Sequence, residues 1–329
     1  MNQHSSIKSG SLLERAAELY GFGSAFAAPE PAAVEKQGSS TLQPEQVIEE
    51  PRRPRPKKQP IFVRGAEEEA EVLIPSSKPE VQSAPAGRGG TIDRESLREG
   101  GFILPDASVS GIAEEFRIVK RQLLQAASGK TGIPEDKRQT ILVCSATPNE
   151  GKTFCAINLA LSMASEKDVE VLLVDGDFSK PEILSILGLE GGKGLTDAIA
   201  EPGADLESYV IQTNVERLSV LPAGSQCNNV TELLASQRTR QVFDALTANR
   251  PNRIVIFDSP PVLMASPASI LANKVGQIVM VVRADTTKEA DLREAVGLIS
   301  GCEHLSLMLN AAGFAPSGRR FGSYYGYGQ

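Results

Sequence analysis

Between residues 139 and 312 the apolar positions cluster into short dense runs separated by longer stretches of helical spacing. Ile141-Leu142-Val143-Cys144 is one such run, and Val169 to Val174 is another, interrupted only by Glu170. RIVIFD at 253–258, QIVMVVRA at 277–284 and LSLMLNAA at 305–312 repeat the pattern. Runs this dense predict strands covered on both faces, as in a parallel sheet. CAINLALSMA, residues 155–164, and the stretches before the later runs have helical spacing. The alternation predicts an α/β fold, with a predominantly parallel sheet and helices on both faces. No internal repeat of constant period is visible.

Upstream, GIAEEFRIVKRQLLQAA at 111–127 predicts a helix, with Ile112, Phe116, Val119, Leu123 and Leu124 on one side. Glu114, Arg117, Lys120 and Arg121 form the other side, which reads as a wet face with ion pairs one turn apart. SLLERAAELY at 11–20 is a short helix candidate, with Ser11 and Glu14 as a capping box and Leu12, Leu13, Ala16 and Leu19 on one side. It is too short to hold in water alone, so it needs a surface to dock on. Residues 24–90 are rich in Pro, Glu, Ala, Ser and Gly and have no sustained apolar period. Such a segment cannot bury enough surface to offset its ordering entropy, and a disordered linker is expected. Its basic RRPRPKK, residues 52–58, precedes the acidic AEEEAE, residues 66–71, and reads as a solvated charge run before it reads as a lipid or polysaccharide contact. The predicted organisation is a helical segment over 1–23, a linker over 24–90, a globular α/β domain over 91–315 and a flexible tail over 316–329.

The net charge of −7 gives no support to a nucleic-acid partner. No apolar run is long enough to span a membrane, and MNQHSSIKSG lacks the apolar core of a secretory signal. Cys144, Cys155, Cys227 and Cys302 are scattered and read as small hydrophobes of a reducing compartment. His4 and His304 are too far apart in the chain to suggest a histidine site. A cytoplasmic protein is expected.

The candidate chemistry begins at SATPNEGKTF, residues 145–154, which lies between a predicted strand and a predicted helix. That context turns a short pattern into a phosphate-binding loop. Backbone N–H groups of Asn149, Glu150, Gly151, Lys152 and Thr153 can converge on phosphate oxygens, and the helix N-terminus adds its positive dipole end. Lys152 supplies charge for the β- and γ-phosphates, and Thr153 supplies a hydroxyl for magnesium. Ala146, Thr147, Pro148 and Phe154 complete the nucleotide-binding stretch, with Ala146 where the first glycine of such loops usually stands.

Two further strands end in carboxylates at the edge where ligands of open α/β sheets sit. One delivers Asp175-Gly176-Asp177, whose two carboxylates share a side if the strand continues through them. They suit magnesium, or one can take a proton from a hydroxyl nucleophile; equally, they suit a strand-end turn. The other ends in Asp258, the usual second half of a phosphate-loop site. Asn310, near the end of the last strand, is a further candidate pocket residue. PSGRRFGSYYGYGQ closes the chain with Tyr324, Tyr325 and Tyr327, phenols on a glycine-rich end that suit a substrate or a docking tail.

The set SATPNEGKTFCAINLALSMA, VLLVDGDFSKP, LPAG, TELLAS, RIVIFDSPPVL, GQIVMVV and the tyrosine cluster resembles the bacterial tyrosine kinases of exopolysaccharide synthesis, most of all the exosortase-A-associated tyrosine autokinases. The resemblance covers residues 92–329 and SLLERAAELY. It implies ATP and Mg2+ as cofactors, with Lys152, Asp175 and Asp177 catalytic, and Thr153, Asp177 and Asp258 on the metal. Asp175 is the candidate base for the incoming phenol. It implies autophosphorylation of Tyr324, Tyr325 and Tyr327 between the subunits of a homo-oligomer, with Glu114, Arg117 and Arg121 at the interface. It also implies a separate membrane-bound chain-length determinant as partner, placing the protein peripherally at the inner membrane. Ser179 and Lys180 stand where relatives commonly carry Arg, and Pro267 stands where they often have an acidic residue.

Two other readings fit the loop. A positioning ATPase of the partitioning type carries a signature lysine five residues before the loop lysine, where this chain has Thr147. A non-catalytic nucleotide-sensing regulator of polysaccharide assembly is the other.

Overall fold

A computed structural model describes residues 88–105 and 110–313. The expected N-terminal helix, residues 24–87 of the expected linker and the tail bearing Tyr324, Tyr325 and Tyr327 lie outside the described residues.

The order of elements is β1 (Arg88–Gly90), α1 (Arg94–Glu99), α2 (Gly111–Gln125), β2 (Thr140–Ser145), α3 (Lys152–Ala164), β3 (Glu170–Asp175), α4 (Ile183–Leu187), α5 (Leu195–Ala200), β4 (Ile211–Thr213), β5 (Leu218–Leu221), α6 (Val230–Ala235), α7 (Gln237–Thr247), β6 (Arg253–Asp258), α8 (Ser266–Ala272), β7 (Gln277–Arg283), α9 (Glu289–Leu298) and β8 (Leu305–Asn310). The sheet runs β1-β4-β5-β3-β6-β2-β7-β8. Every neighbouring pair is parallel except β4–β5.

Four of the dense apolar runs, β2, β3, β6 and β7, are the central strands because both faces of the sheet are covered there, whereas the fifth, β8, is an edge strand that leaves Leu307 and Leu309 exposed. Alternate side chains go to opposite sides. Ile141, Val143, Val171, Leu173, Ile254 and Ile256 pack in one core with Phe116 and Leu123 of α2 and with α3. Leu142, Cys144, Leu172, Val174, Val255 and Phe257 pack in the other, with helices α5, α7, α8 and α9. Cys144 and Cys155 are buried, and burial pushes both thiols up, Cys155 to about 12. All four cysteines are free. Pro267 falls in the first turn of α8, where a missing N–H costs no helical bond.

Three expectations change. The chain joins the sheet three residues before Thr91: Arg88, Gly89 and Gly90 pair in parallel with Ile211, Gln212 and Thr213, and the Arg88 guanidinium donates to Gly191 O at 2.6 Å. A three-residue edge strand has too few positions to show a period. The β4–β5 pair, with strands of three and four residues, is likewise too short to show one.

The wet side of α2 is also not all wet. Lys120 is only 4% exposed, and its Nζ donates to Ser162 O at 2.8 Å and Ser165 Oγ at 3.0 Å and pairs with Glu166 at 2.7 Å. These are the last carbonyls and cap of α3, where a cation is favoured by the helix dipole. Glu114 and Arg117 pair with each other at 2.7 Å, as one-turn spacing suggests, and Arg121 is exposed.

Finally, β3 stops at Asp175 rather than running through Asp177. Gly176 makes the last ladder bond, its N–H donating to Asp258 O at 2.9 Å, and a Cβ there would lie 2.5 Å from that oxygen; the chain turns just beyond, at Phe178 and Ser179.

Candidate active site

β2, β3 and β6 lie side by side, so the loop after β2 and the carboxylates ending β3 and β6 meet at one sheet edge. Register pairs Val143 with Asp258 and Asp175 with Asp258. Their meeting follows from parallel pairing of strands remote in sequence.

The loop after β2 is shaped by its own residues. Asn149 and Gly151 take positive φ, 64° and 93°, a region that glycine enters freely and asparagine tolerates. A Cβ at Gly151 would lie 2.1 Å from Asn310 Nδ2. That amide donates to Glu150 O at 2.8 Å, so Asn310 acts on the loop's backbone in this conformation. Arg283, at the end of β7, donates to Asn149 O at 2.8 Å. The Glu150 carboxylate is 1% exposed; it accepts the Thr147 N–H at 2.8 Å and a hydrogen bond from the Thr287 hydroxyl.

Lys152 opens α3 and reaches across to Asp177, Nζ to Oδ2 at 2.8 Å. Burial disfavours the ammonium, but the carboxylates of Asp258 and Asp177 outweigh burial and raise its pKa. Thr153 follows, 8% exposed. Asp258 is 1% exposed, and its Oδ1 has no hydrogen-bond partner. Burial raises its pKa to about 7, against the lowering influence of Lys152 and Thr153. Asp175 is also raised to about 7, by burial first and by the Asp258 charge next.

Asp175 does not take the position expected of a base. It is fully buried, and its two oxygens accept the N–H groups of Asp177 and Ile183 at 3.2 Å each. It shapes the turn that carries Asp177, and Asp177 is the carboxylate that lines the cleft. The cleft holds about 600 Å3. Pro148, Asn149, Gly151, Lys152, Thr153 and Phe154 of the expected nucleotide stretch line it, as do Phe102, Arg283 and the 69%-exposed Met264. The sequence reading missed Arg283 and Thr287. Arg283 carried the signal used for Asp258, a charged residue ending an apolar strand, whereas nothing in the sequence marks Thr287.

An orphaned, buried carboxylate oxygen beside a threonine hydroxyl and a second carboxylate suits a divalent cation. Among the described residues no three His, Cys, Asp or Glu side chains form a self-sufficient metal cluster. The donor set Thr153, Asp177 and Asp258 therefore fits an ion that takes its remaining ligands from water and phosphate, as magnesium does.

No protein-family model matches the chain. It is 31% identical over 193 residues to the tyrosine-protein kinase CpsD of Streptococcus pneumoniae serotype 4, covering 58% of this chain and 83% of that one. It is 28% identical over 216 residues to the tyrosine-protein kinase YwqD of Bacillus subtilis, covering 66% and 85%. The crystal structure of the chimerical protein CapA2B2 superposes with a TM-score of 0.56 at 27% identity, covering 68% of this chain and 94% of that one.

Proposed function

The chain belongs to the bacterial tyrosine-protein kinases, and from that premise we propose that it transfers the γ-phosphoryl group of ATP to Tyr324, Tyr325 or Tyr327 of a neighbouring copy. The observation that carries the reading is the convergence of Lys152, Thr153, Asp177 and Asp258 at one sheet edge beside an open cleft. Lys152 exchanges Asp177 for the β- and γ-phosphates when nucleotide enters. Thr153, Asp177 and Asp258 hold Mg2+, directly or through water, and the ion supplies neutralisation of phosphate charge. Asp175 fixes the turn that presents Asp177. Phosphoryl transfer through a loose transition state rests on positioning and electrostatics, so a buried Asp175 that orients its neighbour is compatible with it.

The organisation we propose is a P-loop kinase domain starting at Arg88, preceded by a linker and followed by a substrate tail. Glu114, Arg117 and Arg121 lie on α2, with Arg121 exposed, and this supports their placement at a subunit interface. Among the described residues no helix is long and apolar enough to cross a membrane. The proposal extends to a separate membrane-bound chain-length protein as the activating partner, with exopolysaccharide assembly as the process regulated. Mass spectrometry of phosphotyrosine after incubation with MgATP tests the reading. Bound nucleotide with unmodified tyrosines would instead favour a nucleotide-sensing regulator.

A further inference from the structure

Glu150 places a buried carboxylate inside a loop whose neighbours serve an anion. A negative charge there opposes phosphate unless it is turned away and engaged. It is engaged on both oxygens. Oε2 accepts the Thr147 N–H at 2.8 Å, and Oε1 accepts from the Thr287 hydroxyl. Thr287 in turn accepts the Arg283 N–H at 2.9 Å, and the Arg283 guanidinium returns to Asn149 O at 2.8 Å. Asn310 holds the next carbonyl, Glu150 O, at 2.8 Å. A phosphate cradle needs N–H groups free to face the ligand and carbonyls held elsewhere. These bonds hold the carbonyls of Asn149 and Glu150 and assign the Thr147 N–H to a carboxylate.

We propose that Glu150 is a positioning residue for nucleotide: anchored by Thr287, its carboxylate keeps the loop in its phosphate-accepting shape and couples that shape to the turn after β7. The inference rests on reading the Lys152 loop as a nucleotide site, and it holds whether or not tyrosine is the acceptor. Glu150 acts through the loop backbone and touches no reacting atom.

The test measures MgADP affinity by calorimetry on the full chain, separately from tyrosine labelling, so that failure of the kinase reading leaves it interpretable. Melting temperatures without nucleotide are recorded alongside. Glu150→Ala and Thr287→Val should each weaken MgADP binding, by about tenfold for Glu150→Ala, the scale of a charge-assisted hydrogen bond. The half-exposed Thr287 accommodates valine if the glutamate variant folds poorly. The double variant should bind no more weakly than Glu150→Ala, because the two residues act along one path. Glu150→Gln, whose amide can accept from Thr147 and donate to Thr287, should recover affinity to within about threefold of wild type. Affinities within about twofold of wild type for both single variants would overturn the proposal, as would additive losses in the double variant. A lowered melting temperature with unchanged affinity would also overturn it, leaving Glu150 a role in stability alone.

Discussion

The Lys152 ammonium lies 2.8 Å from the Asp177 carboxylate, with the two side chains 12% and 6% exposed. A pair this enclosed leaves a costly unpaired charge when either partner is removed. In the proposed reaction the lysine gives up this partner for phosphate, and nucleotide binding and release of Asp177 become one event.

Lys152→Met should therefore abolish tyrosine labelling while the protein still unfolds cooperatively. Anti-phosphotyrosine blotting and a urea titration read the two quantities. Labelling at the wild-type rate would remove Lys152 from the mechanism.

The raised carboxylates make stability depend on pH. Asp258 has its pKa lifted from 3.8 to about 7 in the folded protein, chiefly by burial, so between those values the folded state binds more protons than the unfolded one. Its contribution is most favourable at low pH, worsens as pH rises through that window and is constant above it. Asp258→Asn in EDTA without nucleotide should raise the melting temperature by a few degrees at pH 8. The gain should shrink steadily as the pH is lowered toward 4. A gain independent of pH would mean that Asp258 is not protonated in this window.

Lys120→Met should destabilise by about 2 kcal/mol, because it strips the end of α3 of a buried cation and its hydrogen bonds. Urea unfolding measures it. A change under about 0.5 kcal/mol would class Lys120 with ordinary surface positions.

A chain starting at Arg88 should melt with the full-length protein, whereas one starting at Thr91 loses the β1–β4 pairing and the Arg88 bond to Gly191 and should melt lower. Equal melting of both would show that β1 contributes nothing to the cooperative unit.

Transfer between subunits is tested by mixing a Lys152→Met chain with a chain whose Tyr324, Tyr325 and Tyr327 are all Phe. Phosphate on the lysine variant's tail is the expected result, and a mixture that stays unlabelled would leave only transfer within one chain. Arg117→Ala with Arg121→Ala should weaken labelling in step with loss of the oligomer in sedimentation.

The central strands, the loop from Ala146 to Phe154 and the strand-end Asp258 were legible in the sequence because each rests on a local rule. Burial on both faces makes an unbroken apolar run, and a phosphate loop needs its residues contiguous. Tertiary structure decided what depends on partners far along the chain. Lys120 looks like any polar residue on an amphipathic helix, and only the end of α3, some forty residues on, makes it a buried cap. Asp175 and Asp177 are alike in sequence. The strand ends at Asp175, whose oxygens are taken by the N–H groups of Asp177 and Ile183, and Asp177 is left at the cleft. The Glu150 brace needs Thr287, 137 residues away. Sequence periodicity reports which face of an element is covered, but the partner a polar group finds there is set by how the strands order in the sheet.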